Sequence, residues 1–139
     1  VTLYDKDALM LADVLKVNET LTNLNLLGNY FGAESAKALV EVAKSKGSQF
    51  KSLCGIKVGA TSANCGERRG DNRFGTYDGC DRTPSGTGDG DAILASYDLE
   101  VNPSLKTLKL ARSCITDKPI LVLTDVLTVN NSMTELDLS

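Results

Sequence analysis

A fifteen-residue phrase near the start of the chain returns twice, and its spacing constrains the fold more than any other feature. The run from Asp7 through Asn18 to Leu21 matches the run from Asp91 through Asn102 to Leu105, 84 positions later. A third copy, from Pro119 through Asn130 to Met133, lies 28 further on. Since 84 is three times 28, the unit reads as 28 residues, a period expected of an array of stacked supersecondary units.

Each copy carries two hydrophobic periods. Ala8, Leu11, Ala12 and Leu15 recur at i, i+3, i+4, i+7, as do Ala36, Leu39, Val40 and Ala43. Ala92, Ala95, Ser96 and Leu99 repeat the pattern, and so do Ile120, Leu123, Thr124 and Leu127. That spacing predicts one buried stripe on each of four helices. After the first, third and fourth comes Val-Asn, then a short alternating segment: Leu21-x-x-Leu24-x-Leu26, Leu105-x-x-Leu108-x-Leu110 and Met133-x-x-Leu136-x-Leu138. These predict strands with one covered face. A lone strand-helix pair cannot bury both its apolar faces, so stability has to come from neighbouring copies.

The pattern Leu-x-x-Leu-x-Leu-x-x-Asn, complete from Leu21 to Asn29, resembles the leucine-rich repeat, and the 28-residue unit with a full helix resembles its ribonuclease-inhibitor-like subclass. The likeness covers residues 1–56 and 91–139. It implies an α/β solenoid, a horseshoe fragment with a parallel sheet on the concave face and helices on the convex face. It also implies that Asn29 bonds to neighbouring backbone at the turn. Ser113 stands where the later repeat would have that asparagine, while Leu3, Phe31 and Ile115 share the next apolar slot.

The chain reads as a single domain over 1–139. It opens on Val1 and stops at Ser139 inside an apparent new repeat, so a fragment of a longer chain is expected, and a signal peptide is not testable. Fifteen basic against eighteen acidic residues give a net charge of -3, which disfavours a nucleic-acid partner. Apolar runs are far shorter than the roughly 18–20 residues that span a bilayer, so no membrane is expected. The absence of histidine removes the commonest general base and every Ser-His-Asp arrangement. No enzyme, no cofactor, no metal and no small-molecule substrate are expected. Cys54, Cys65, Cys80 and Cys114 form no C-x-x-C pair and read as free thiols, with a Cys65–Cys80 bridge as the alternative. Asn18-Glu-Thr20 and Asn130-Asn-Ser132 match the glycosylation pattern. Asn102 fills the same slot without one, so the slot reads as a turn position. The subclass resemblance implies a cytoplasmic, intracellular setting.

Residues 57–90 break the pattern, holding eight of the twelve glycines and the arginines Arg68, Arg69, Arg73 and Arg82. Two accounts fit. In the preferred one, Thr61–Cys65 is a reduced strand keeping Ala63 and Cys65 inward, and the remainder loops out before the helix resumes at Asp91. In the other, the stretch is a disordered insertion. Gly86-Thr-Gly88-Asp-Gly90-Asp91 lacks the Lys and Ser or Thr of a phosphate loop and reads as a flexible turn, with Asp91 near the helix start. Its aspartates lack calcium-loop spacing.

Function is expected on the strand residues between the buried leucines, because side chains alternate across a strand. These are Asn23, Asn25 and Leu27, then Thr107, Lys109, Ala111 and Arg112, then Glu135 and Asp137. The expected role is a scaffold binding another protein on this concave face, with Lys109 and Arg112 beside Glu135 and Asp137 as a mixed-charge patch. Arg68, Arg69 and Arg73 are added as anchors for a partner's carboxylates. The alternatives are the regulatory part of a small-GTPase-activating protein, or the sensing region of an innate-immune or cytoskeletal protein. The first rests on fold analogy alone, and the second depends on domains outside this sequence.

Overall fold

The computed structural model describes residues 3–64, 87–110 and 117–137. Four helices, α1 (Asp5–Val17), α2 (Ala33–Ser45), α3 (Thr87–Val101) and α4 (Asp117–Val129), pack in chain order, each on the next. Three short strands, β1 (Ser62–Asn64), β2 (Thr107–Lys109) and β3 (Glu135–Asp137), form a parallel sheet in the order β1-β2-β3. The architecture is thus α/β. The last residues of α1 and α2, Val17 and Ser45, lie 28 apart, as do those of α3 and α4, Val101 and Val129.

The stripes of α1 and α2 point where the periodicity requires; that of α4 does so only in part, because Leu123 is buried while Ile120 and Thr124 are exposed. Ala8, Ala12 and Leu15 of α1 are buried, as are Ala36, Leu39, Val40 and Ala43 of α2. Alanine at these positions lets the helices approach closely, since interaxial distance follows side-chain size at the contact. The opposing layer supplies Leu26, Phe31, Phe50, Leu53, Leu105, Leu108 and Leu110 to the same core. Each fully buried leucine contributes roughly 1.5–3 kcal/mol.

Polar bonds fasten α1 to α2 at both ends. The Asp5 carboxylate accepts from the Gly32 amide at 2.7 Å and from the Ser35 hydroxyl, holding the start of α2. Lys46, just past α2, donates to the carbonyls of Lys16 and Asn18 at 3.0 and 2.7 Å, capping the end of α1. The asparagines after the helices close turns. Asn18 Oδ1 accepts from the Leu21 amide at 2.7 Å, Asn130 Oδ1 from Met133 at 2.8 Å and Asn102 Oδ1 from Ser104 at 3.2 Å. Asn29 accepts from the Leu3 amide and donates to the Leu26 carbonyl, both at 3.0 Å, the turn role implied for it.

The strands depart from expectation. Residues 21–26 form no continuous strand; they meet residues 51–55 through two bridges, Asn23↔Ser52 parallel and Asn25↔Cys54 antiparallel. The second falls beside Gly55, whose φ of 72° turns the chain. Among the described residues no backbone bond joins this pair to the β1-β2-β3 sheet, so the expected single sheet through 21–26 and 105–110 is not seen among them. The physical reason is local. The Leu53 amide, which a further strand would bond, donates instead to Asp98 of α3 at 2.8 Å, and the Phe50 carbonyl accepts from the Tyr97 hydroxyl at 3.0 Å.

Beside β2 stands β1, with Ala63 opposite Leu108 and half-buried against the core. A strand therefore does lie within 61–65, although Cys65 itself falls outside the described residues. The helix resumes at Thr87, four residues before Asp91. Asp91 is consequently not at a helix start: it lies one turn in, 2% exposed, and accepts from the Gly28 amide at 3.3 Å. The glycine before it serves close approach, not turning, because a Cβ on Gly90 would run into the Phe31 carbonyl oxygen. Two further corrections concern burial. Leu27, expected on the open face, is buried, and Leu24 is only half-buried.

Candidate functional site

The sheet brings together four of the expected contact positions in two rows. Parallel register sets Lys109 beside Asp137 on one flank and Asn64 on the other, and Thr107 beside Glu135 and Ser62. Neighbouring strands lie about 4.8 Å apart, so each row is a compact strip. Between the rows Leu108 is buried and Leu136 half-buried, which sends the flanking side chains to the opposite face. Lys109 and Glu135 are exposed, while Thr107 and Asp137 are half-buried. Opposite charges side by side across strands stabilise by roughly 0.2–1 kcal/mol. Ser62 and Asn64 join the rows through a strand that enters 45 residues before β2 in the chain, which the 28-residue period does not foresee.

Asn23 and Asn25 lie on the other pairing, beside Ser52 and Cys54. Asn23 is exposed. Asn25 is exposed too, but its Oδ1 accepts from the Leu27 amide at 3.3 Å, a turn-forming bond. Its side chain also fills the space over Gly55, where an added Cβ would come within 2.9 Å of Asn25 Cβ. Arg68, Arg69, Arg73, Ala111 and Arg112 fall outside the described residues.

A buried polar cluster escaped the sequence reading. Asp98, 1% exposed, accepts from the Ser52 hydroxyl and the Leu53 amide. Burial pushes its carboxyl up to about 6, against the pull of these hydrogen bonds. Tyr97 beside it is pushed up to about 12, first by burial and then by the nearby charges of Asp98 and Glu100. The signal was present in the repeat alignment. The helices read Asp13-Val14, Glu41-Val42 and Asp125-Val126 at one slot, whereas α3 reads Tyr97-Asp98. The cluster is enclosed, and its hydrogen bonds run to the Ser52 hydroxyl and to the backbone at Leu53 and Phe50, so it holds the fold and offers no reacting surface. Among the described residues no three His, Cys, Asp or Glu side chains gather as a metal site, and no helix is long and apolar enough to cross a membrane.

A family model described as Leucine Rich repeat matches residues 101–118, the stretch running from the end of α3 through β2 into α4. No curated protein and no solved structure matches the chain. The chain thus carries a leucine-rich-repeat motif, centred on Leu105, Leu108 and Leu110, and such a motif points to a protein-interaction role.

Proposed function

We propose that the chain is a protein-interaction module, a leucine-rich-repeat solenoid of 28-residue, ribonuclease-inhibitor-like units that acts inside the cell as a scaffold and has no catalytic role of its own. The partner is another protein, held on the strand face. One observation carries the reading: parallel pairing of β2 with β3 sets Lys109 against Asp137 and Thr107 against Glu135 on the face opposite the buried Leu108. Small-residue turns and a curved strand layer leave such a face open in repeat arrays. Asn23 extends the contact surface on the neighbouring pairing, and Arg112, two residues past Leu110, adds a second cation. Arg68, Arg69 and Arg73 belong to the same proposal as anchors for acidic groups.

The test places a photo-crosslinking residue at position 109 and, as a control, at the exposed position 121 on α4. Position 109 is expected to capture a protein that position 121 does not, and the joint change Lys109→Glu, Arg112→Glu is expected to abolish binding of that protein. If every captured partner survives the double charge reversal, the strand face is not the binding surface.

A further inference from the structure

The helices repeat one contact along the stack, and three slots record it. The slot of Ala8 recurs as Ala36, Ala92 and Ile120; the alanines are fully buried, and Ile120 is 37% exposed. The slot of Ala12, Val40, Ser96 and Thr124 behaves alike, buried in α1, α2 and α3 and exposed in α4. Two residues further along, the order reverses. Val42, Asp98 and Val126 are buried, while Val14 of α1 is 58% exposed. Ser35 lies seven residues before Val42, on the same side of α2, and its hydroxyl bonds Asp5 of α1, so this side of a helix faces the helix before it. The first two slots are therefore covered where a helix follows, and the third where one precedes. Among the described residues α4 has no follower and α1 no predecessor.

The backbone carries the same asymmetry. At one position of each later unit an amide donates to a carbonyl of the unit before: Lys51 to Thr22 at 2.6 Å, Thr107 to Thr61 at 3.1 Å and Glu135 to Lys106 at 3.0 Å. The amide in that position of the first unit is that of Asn23, and it meets no acceptor among the described residues. The carbonyl that stands one repeat beyond Lys106 is that of Thr134, and it meets no donor among them. Both residues are exposed. An open strand edge of this kind is a template for another chain.

We infer that a second copy of this chain stacks on the first end to end, with Ile120 and Thr124 of one copy against Val14 of the next and the Asn23 amide donating to the Thr134 carbonyl. Continuity names the occupant. The two open faces are the two halves of the contact that each helix makes with its neighbour, and one molecule carries both. Thr124 presents its methyl group, because its hydroxyl already donates to the Ile120 carbonyl at 2.8 Å. Charge sets the order. Two β3 edges paired with each other would bring Glu135 and Asp137 against their own like charges, whereas Glu135 beside Asn23 meets a neutral amide. Such a contact is heterologous, so copies add without closing a ring of two, and the strand face carrying Lys109 stays open.

The test uses the full chain. Sedimentation velocity from micromolar to millimolar concentration is expected to show a mass that rises past the dimer. Val14→Asp and Thr124→Asp, each at a side chain exposed in the single copy, are each expected to stay monomeric alone. Mixed in equal amounts they are expected to form a dimer and nothing larger, since each supplies the face that the other has lost. That dimer also shows that both variants fold. Lys109→Glu is expected to assemble as the parent does. A parent that stays monomeric at millimolar concentration overturns the proposal and leaves both faces to a different protein. A dimer of Thr124→Asp alone would mean that two α1 faces pair, and a dimer of Val14→Asp alone that two α4 faces pair. Either overturns end-to-end stacking, as does a mixture that stays monomeric.

Discussion

α1 and α3 are copies of one phrase 84 residues apart, yet one is wet along half its surface and the other is buried nearly all round. In α1, Leu9, Met10, Val14 and Val17 are more than half exposed. In α3, every residue from Asp91 to Leu99 is buried, including the polar Asp91, Ser96 and Asp98. The difference lies in neighbours. α1 packs on α2 alone among the described helices, whereas α3 lies between α2 and α4 and also covers the open side of residues 50–53. The slot holding Val14 in α1, Val42 in α2 and Val126 in α4 holds Asp98 in α3. A helix standing where a strand edge needs an acceptor has to carry that acceptor itself.

The sharpest way to break this comparison is to restore the repeat's own residue. Asp98→Val leaves the Leu53 amide and the Ser52 hydroxyl without their acceptor, and each such buried loss costs about 1–3 kcal/mol. Urea denaturation is expected to show a loss of about 2–5 kcal/mol. Gly90→Ala probes the same helix at its other end. A methyl directed at the Phe31 carbonyl is expected to destabilise by about 1–3 kcal/mol, although alanine is the better helix former by roughly 1 kcal/mol.

The ionisation of Asp98 sharpens the contrast further. Its carboxyl rises from 3.8 to about 6 on folding, so the folded chain holds a proton that the unfolded chain releases between those values. This group's contribution is therefore fully present below about pH 4 and is lost as pH rises through 6, a fall of roughly 1–3 kcal/mol. The difference in stability between the parent and Asp98→Asn, followed by chemical denaturation from pH 4 to 7, is expected to trace that fall. A difference independent of pH would mean that Asp98 is not held as described. Tyr97→Phe removes one hydrogen bond to the Phe50 carbonyl and is expected to cost about 1 kcal/mol. Smallest of all is Val14→Asp, the reciprocal exchange in α1, where an exposed site is expected to respond by less than about 0.5 kcal/mol.

The helices were legible because the periodicity that marks them also states which face is covered. The stripes at Ala8–Leu15 and Ala36–Ala43 lie inward, and a helix stands at each of the four predicted stripes, with α3 starting four residues earlier than its copy of the phrase. Strand extent was less legible. Leu21–Leu26 carries the same alternation as Leu105–Leu110, but alternation says only that one face is apolar and not which edge finds a partner. Of the candidate surface, Thr107, Lys109, Glu135 and Asp137 could be read from alternation alone. Asn25 could not be sorted from them, because its side chain packs against Gly55, thirty residues on, and alternation does not reveal that contact.

By itself, the sequence determined the repeated phrase, the inward face of α1 and α2 and the asparagine that ends three of the helices, since each follows from residues close together along the chain. Only the tertiary structure decided that β1 stands beside β2, that Gly90 admits the Phe31 backbone, and that Asp98 serves as acceptor to a segment 45 residues away. Those contacts are long-range, and a buried amide will take any acceptor brought within reach. Which one arrives is set by how the helices stack, not by the residues on either side of the amide.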